Sequence, residues 1–327
     1  MLSYPYMQRP PANPRSKLQL PPILPSAFRN KFISILKNET AVFFPSLLKP
    51  LRDSLHVNTL KAQDAEILQF LRDQNVKHEK IPFLEHAYWI DSNFEAVSKS
   101  MEHHTGLFEI MSSSAMIPAV VLNPSKDDRV LDMTAAPGNK SILLAQLMQN
   151  QGTLVVNELD GLRLKRLRAN LNKAGVQNAL VANQDAAQFD LGIKFNKILL
   201  DAPCSSEAEV NKNKGQLNDW NMVKVFEFQA LQKKLILHAA DLLEPEGELV
   251  YSTCTFSPEE NEEVIDFILA QRPNLHTVSI KLKKLKYTRP LRRHRGKLYP
   301  EQMINCLRIW PHKQGMEGFF VCKLQAD

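Results

Sequence analysis

The chain has 327 residues, 44% of them apolar, and a formal net charge of +6 from 41 Lys and Arg against 35 Asp and Glu. That length bounds it to one large or two smaller domains with room for a buried core, and no run of about 18 apolar residues offers a membrane span. Four cysteines in such a length exclude a small disulfide scaffold and fit a reducing compartment.

Charge is uneven along the chain. Residues 1–38 hold six basic residues (Arg9, Arg15, Lys17, Arg29, Lys31, Lys37) and no acid. Residues 281–297 hold nine (Lys281, Lys283, Lys284, Lys286, Arg289, Arg292, Arg293, Arg295, Lys297), again with no acid. Subtracting six and nine from +6 leaves the rest of the chain at −9. A mildly acidic body with two basic segments suits a polyanion such as nucleic acid, and a solvated tail and loop are the alternative.

Residues 1–26 carry seven of the 20 prolines, a spacing that no helix runs through, and read as a disordered leader. The basic, acid-free composition matches an organelle transit peptide, but the prolines break the amphipathic helix that such a peptide needs. A cytoplasmic protein is expected, with organelle import as the minority alternative.

Residues 27–105 are expected to form a small α+β domain. Residues 54–60 alternate like a half-buried strand, Ala65, Ile67, Leu68 and Leu71 mark a helix face, and residues 81–90 read as one or two further strands. His103-His104 before Gly106 reads as a solvated helix end, and Met101, Met111 and Met116 as core filler.

From residue 106 to 327 the rhythm becomes strand–loop–helix. Strands are predicted over 129–133, 153–158, 179–182, 197–200 and 248–253, and helices over 140–149, 162–174, 222–243 and 259–271. Gly152, Gly175 and Gly247 fall between elements, and the helix at 222–243 is expected to bury Phe226, Leu231, Leu235 and Leu242. Residues 307–310 and 319–324 flank Gly315 and Gly318 and read as a closing antiparallel pair. The fold class is α/β, a doubly wound parallel sheet with helices on both faces.

Ligands of such sheets bind beyond the carboxyl ends of the strands, and chemistry-bearing residues collect there. The first strand runs into Asp132 and the small-residue loop Thr134-Ala135-Ala136-Pro137-Gly138-Asn139-Lys140, which opens a helix. Glu158 ends the second strand, where an acid can take both hydroxyls of a ribose. Asp185 follows the third, where a carboxylate can accept from an adenine amino group, and Asp201 ends the fourth. Each alone reads as a cap or loop acid, but four at successive strand ends favour a nucleoside cofactor. The loop has one glycine where phosphate-binding fingerprints have two or three, which points away from ATP and NAD and towards S-adenosylmethionine.

Cys204 follows the fourth strand in Asp-Ala-Pro-Cys-Ser, and Cys254 follows the fifth in Ser-Thr-Cys-Thr. Adjacent strand ends would put both thiols over one cleft, as nucleophile candidates. Neither has a C-x-x-C partner, so no zinc site is expected, and Cys306 and Cys322 read as small buried hydrophobes.

These segments are similar to the Sun/Nop family of RNA cytosine-C5 methyltransferases. The resemblance rests on VLDMTAAPGNKS (130–141), NELDGLRLKRLRANLNKAG (157–175), LLDAPCSS (199–206), LVYSTCTFSPEENEEV (249–264) and GFFVCKL (318–324), and with a weaker match near residues 54–61 it spans most of residues 50–327. It implies a Rossmann-like methyltransferase sheet behind a small RNA-recognition-motif-like domain. It also implies S-adenosylmethionine as cofactor, RNA (tRNA or rRNA) as substrate and partner, and a monomer. Cys254 would be the nucleophile at cytosine C6, and Cys204 would assist removal of the C5 proton. Asp201 would hold the cytosine edge, with Lys140 lining the same pocket. Residues 134–140, Glu158, Asp185, Asp201 and Arg163 would hold the cofactor. The family loop carries a second glycine and a threonine where Asn139 and Ser141 stand, and Asn is expected to tolerate a positive φ there. Glu207-Ala208-Glu209 replaces a glycine-containing turn. The rivals are a DNA cytosine methyltransferase, which has no use for the Thr-Cys pair, and a catalytically silent RNA-binding factor on the same fold.

Overall fold

The computed structural model describes residues 24–327, so most of the proline-rich segment, with Arg9, Arg15 and Lys17, lies outside the described residues. Helices α1 (Ser26–Leu36) and α2 (Thr40–Leu48) come first. Then follow β1 (Asp53–Val57), α3 (Asp64–Asp73), β2 (His78–Lys80), β3 (Ala87–Ile90), the short helices α4 (Phe94–Ser98) and α5 (Met101–His104), and β4 (Phe108–Ile110). The four strands make an antiparallel sheet in the order β2-β3-β1-β4. Ile67 and Leu71 of α3 pack on Leu55, Val57, Tyr88 and Phe108 of this sheet. β1 is buried at four of its five residues rather than half-buried, because α3 covers one face and the next domain closes on the other. Asn58, just after it, donates to Gly106 O and Ala174 O at 2.7 and 2.8 Å.

Two boundaries differ from expectation. β4 lies beyond residue 105 yet pairs with β1, Ile110 opposite Leu55, so the small sheet ends at residue 110. Helices α1 and α2 pack away from that sheet. Their Phe28, Phe32, Phe43 and Leu47 are fully buried against Trp220, Phe256 and Trp310 of the large domain. Apolar periodicity identifies a buried helix face but not the surface that buries it.

The large domain continues with α6 (Ser113–Leu122), β5 (Arg129–Asp132), α7 (Asn139–Leu147), β6 (Thr153–Asn157), α8 (Gly161–Ala174), β7 (Ala179–Ala182) and β8 (Phe195–Asp201). After it come α9 (Met222–Asp241), β9 (Leu243–Thr253), α10 (Glu262–Gln271), β10 (Leu275–Val278), the hairpin β11 (Arg293–His294) and β12 (Lys297–Leu298), β13 (Leu307–Ile309), α11 (Pro311–Gln314) and β14 (Phe319–Ala326). The sheet order is β10-β14-β9-β8-β5-β6-β7, with β13 also on β14. β7 through β9 pair in parallel, while β14 joins β9, β13 and β10 antiparallel. Val130, Leu154, Val156 and Leu199 face α6, α7 and α8, and Leu131, Val155, Ile198 and Leu200 face α9 and α10, the two-residue alternation of a sheet covered on both sides. The order reverses between β5 and β8, which opens the crevice at their carboxyl ends.

Several local expectations need correction. α6 has no amphipathic period because it is buried nearly all round, so periodicity did not mark it. Gly247 lies inside β9, which starts earlier than its apolar run. Phe226 is 43% exposed, with the Arg295 guanidinium 5.8 Å from its ring centre, and Met101 is 70% exposed, whereas Met111 and Met116 are core. Among the described residues no helix is long and apolar enough to cross a membrane.

Lys31 shows how tightly α1 is seated. Its ammonium donates to Ser257 Oγ at 2.6 Å, lies 2.7 Å from the carboxylate of fully buried Glu259, and is itself only 6% exposed. Removing one partner of a buried pair strands the other charge. Lys31→Met should therefore lower the unfolding free energy by about 2–3 kcal/mol, read from the urea midpoint. An unchanged midpoint would mean that Arg295, 3.4 Å from the same carboxylate, already compensates it.

Candidate active site

Parallel pairing of β8 with β9 sets Asp201 opposite Ser252. Three residues past Asp201 comes Cys204, and two past Ser252 comes Cys254, so one register brings both thiols to one place. Their Sγ atoms are 3.5 Å apart, and Ser206 Oγ lies 3.9 Å from Cys204 Sγ and 3.6 Å from Cys254 Sγ. Contact with Cys204, then burial, pushes the Cys254 thiol well above the ordinary cysteine range. Cys306 and Cys322 are fully buried in the core behind the sheet.

Beside the thiols, Lys140 Nζ on α7 donates to Asp201 Oδ2 at 2.6 Å. Burial pulls the Lys140 ammonium down, but Asp201 outweighs it and holds the pKa above the ordinary lysine value. Ser252 Oγ donates to Asp201 Oδ1 at 2.7 Å, and Thr134 Oγ1 donates to Asp201 O at 2.9 Å. Asp132 is buried and accepts from Ser141 Oγ at 2.6 Å, and burial pushes its carboxyl up to about 7.

The turn between β5 and α7 rests on Gly138 at φ 113°, where an added Cβ would lie 2.9 Å from Leu167 Cδ1 of α8. Asn139 is the first residue of α7 and has no positive φ, so the positive φ expected there falls instead on Gly138. A cleft of about 210 Å³ runs along this turn, lined by Thr134, Ala135, Ala136, Pro137, Asn139, Lys140, Asp132, Asp201 and Lys212. Ile110, Met111 and Ser112, where the small sheet hands over to α6, close its other wall.

Glu158, Asp185 and Arg163 stand beside that cleft without lining it. Glu158 is 3% exposed, and its Oε1 accepts from Asp160 N at 2.8 Å. Arg163 Nη1 lies 3.3 Å from Glu158 Oε2 and its Nη2 donates to Ala136 O at 2.8 Å, which ties Glu158 to the turn. Asp185 Oδ1 caps a short 3-10 turn by accepting from Ala187 N at 2.9 Å.

Sequence reasoning missed four residues that hold this arrangement: Ser206, Ser252, Glu207 and Glu260. Glu207, noted only as a departure, is fully buried and accepts from Trp220 Nε1 at 2.8 Å and Phe256 N at 2.9 Å. The stretch Pro258-Glu259-Glu260-Asn261-Glu262 after Cys254 carried a signal of its own, three acids in five residues. Of these Glu259, Glu260 and Glu262 are all fully buried, and Glu262 pairs with buried Arg308. Burial, then the Glu207 charge, pushes Glu260 up to about 8. In the basic segment, Arg295 and Lys297 pair with Glu259 and Asp266, and the other seven cations are exposed.

Asp132 and Glu260 both titrate higher folded than unfolded, from ordinary values of 3.8 and 4.5. Between those values and about 7 to 8 the folded chain holds protons that the unfolded chain has released, so stability falls as pH rises through this window and levels above it. Glu260→Gln should flatten the upper part of the slope and raise stability at pH 8 by about 1–3 kcal/mol, measured by urea unfolding at pH 5 and pH 8. An unaltered slope would place the titration elsewhere.

Comparison with known proteins accords with this geometry. Residues 119–325 match the family described as 16S rRNA methyltransferase RsmB/F, and residues 24–110 match the N-terminal domain of 16S rRNA methyltransferase RsmF. The chain is 38% identical over 290 residues to a tRNA (cytosine(49)-C(5))-methyltransferase of Pyrococcus abyssi, covering 88% of this chain and 92% of the relative. It is 35% identical over 315 residues to ribosomal RNA small subunit methyltransferase F of Vibrio cholerae, covering 92% of this chain but only 64% of that relative's length. A solved methyltransferase homologue from Pyrococcus horikoshii superposes with a TM-score of 0.82 at 30% identity, covering 92% of this chain and 94% of that one. The doubly wound sheet, the paired thiols beyond the ends of β8 and β9 and these matches agree: the chain belongs to the RsmB/F-type, Sun/Nop family of RNA cytosine-C5 methyltransferases.

Proposed function

We propose that this chain methylates C5 of cytosine in a structured RNA, tRNA or rRNA, through a covalent bond between Cys254 and C6 of the base. The observation that carries the reading is the pair of thiols 3.5 Å apart beside the Lys140–Asp201 ion pair. Cytosine C5 alone is too weak a nucleophile for methyl transfer. Cys254 loses its thiol proton to solvent as its sulfur adds to C6, which pushes the C5–C6 electron pair towards N3, leaves C5 electron-rich and splits one hard step into easier ones. Asp201, accepting from the Lys140 ammonium, stands beside the thiols as the candidate to hold the base edge at N3 and the exocyclic amine. Once C5 is methylated, Cys204 as thiolate takes the C5 proton, the C5–C6 double bond re-forms, and the Cys254–C6 bond breaks.

S-adenosylmethionine, when bound, supplies the methyl group as a sulfonium electrophile. The residues fit it: Ala135 and Ala136 line the cleft with no side chain beyond Cβ, which leaves the turn's backbone open to close approach. Glu158 and Asp185 follow β6 and β7, the two strands beyond β5, in the positions that suit a ribose and an adenine. Asp185 Oδ2 makes no hydrogen bond among the described residues and can accept from an amino group.

Exposed Lys281, Lys283, Lys284, Lys286, Arg289, Arg292 and Arg293 make the segment ahead of and into the β11–β12 hairpin suited to RNA phosphates. The N-terminal basic set contributes less than its composition suggests, since Lys31 is committed to Glu259 and Ser257.

Two measurements test the reading. Glu158→Ala and Asp185→Ala should each weaken S-adenosylmethionine binding by about tenfold to a hundredfold in calorimetry, the usual cost of a hydrogen bond to a charged group. Unchanged affinity in both would mean that the cofactor lies elsewhere. Cys254→Ala should neither methylate RNA nor bond to it. Cys204→Ala should attack and methylate, then stall as an RNase-sensitive slow band on a denaturing gel that reducing agent leaves intact, since the bond is a thioether. The reverse pattern would make Cys204 the nucleophile, and no adduct in either variant would remove the covalent reading.

A further inference from the structure

The loops that carry the two cysteines are held by carboxylates exchanged between them. Glu207 sits three residues after Cys204 and reaches across to the other loop. Its Oε2 accepts from Phe256 N at 2.9 Å and its Oε1 from Ser257 Oγ at 2.5 Å, two and three residues after Cys254. Glu260 sits six residues after Cys254 and reaches the opposite way. Its Oε2 accepts from Ser205 N at 2.9 Å and its Oε1 from Ser205 Oγ at 2.5 Å, one residue after Cys204. Gln232 of α9 donates to Glu260 Oε2 at 3.0 Å and Pro203 O at 2.8 Å, and Ala208 N donates to Cys254 O at 3.1 Å. Both glutamates are fully buried, and neither lines the cleft.

We propose that Glu207 and Glu260 are positioning residues, a reciprocal clasp that sets the separation of Cys204 from Cys254. The clasp deepens the proposed covalent mechanism and rests on it for its catalytic consequence, though not for its geometry. Attack on C6 and removal of the C5 proton engage adjacent atoms of one base, so the two sulfurs must hold their relative position from one step to the next. Hydrogen bonds to the main chain next to each cysteine control that distance directly. Burying two acids here is costly, and both spend their oxygens on the main chain and hydroxyls that flank the cysteines.

Oxidation by diamide reads the geometry without RNA. The two thiols give up two protons and two electrons, which reduce the azo group of diamide to a hydrazine, and an Sγ–Sγ bond forms. The folded chain should form the Cys204–Cys254 disulfide quickly, located by peptide mapping of alkylated protein so that Cys306 and Cys322 are scored separately. Glu260→Ala should slow it by at least about tenfold, as expected when a loop shifts by about 1 Å, and Glu260→Gln, which keeps an acceptor for Ser205 N, should restore the wild-type rate. Supplied with RNA and S-adenosylmethionine, Glu260→Ala should also accumulate the covalent RNA band, as Cys204→Ala does, because proton removal is lost before attack. A merely structural role would lower the melting temperature while leaving the cross-linking rate of the folded fraction unchanged, and that result overturns the clasp. Should Glu260→Ala fail to fold, Ser205→Ala removes one clasp hydroxyl, and an unchanged cross-linking rate there overturns it equally. If Cys204→Ala traps no RNA, the covalent reading fails while the cross-linking rates still decide the clasp.

Discussion

The register between β8 and β9 is the constraint on which the site depends. Side chains alternate faces along a strand, so a slip of one residue would carry Asp201 away from Ser252 and separate the two thiols. That register is secured far from the chemistry. Ile198, Leu200, Leu249 and Tyr251 are all fully buried, and each would be turned to the wrong face by a slip. The apolar core therefore fixes the geometry of the reactive groups at the strand ends. β14 adds a second lock by pairing antiparallel along β9 from Glu248 to Thr253.

Beyond the strand ends the core no longer reaches, and polar contacts take over. The cysteine loops are irregular backbone in a dry region, where every N–H and C=O needs a partner. Glutamates provide acceptors at a reach that main-chain pairing cannot span, and hydroxyls of Ser205, Thr255 and Ser257 fill the remaining positions. The cost appears as the raised Glu260 carboxyl. Around this polar centre lies an aromatic shell, with Phe256 stacked on Trp310 at 5.4 Å and Phe32 and Phe43 edge-on to Phe256. Helices α1 and α2 supply half of that shell, which makes them part of the scaffold around the site. The added Cβ at Gly318 would overlap the Phe256 ring at 2.1 Å, so glycine there is a requirement of the same packing.

The cleft joins two charge environments. Asp201 and Lys140 neutralise each other at its floor, while Asp132 sits deeper with its proton held by burial. Lys212 reaches the opposite wall, anchored by Glu317, whose carboxylate also takes the hydroxyl of Ser112. Glu317 thereby links the end of the small domain, the Cys204 loop and the closing hairpin around one opening.

Much of this was legible in the residues themselves. Alternating apolar runs separated by glycine and polar turns placed β5 to β8 nearly in position, but only the second half of β9. Asp132, Asp201, Cys204, Cys254 and the turn at residues 134–140 were readable because they stand at strand ends, where fold class alone predicts a ligand. Tertiary structure decided the rest. The partner surface of α1 and α2, the membership of β4 in the small sheet and the exposure of Phe226 depend on contacts between segments far apart in sequence. The same holds for Glu207 and Glu260. Local pattern assigns an acid to solvent, and only the fold, by folding two loops against each other around buried donors, turns those acids inward to hold the thiols together.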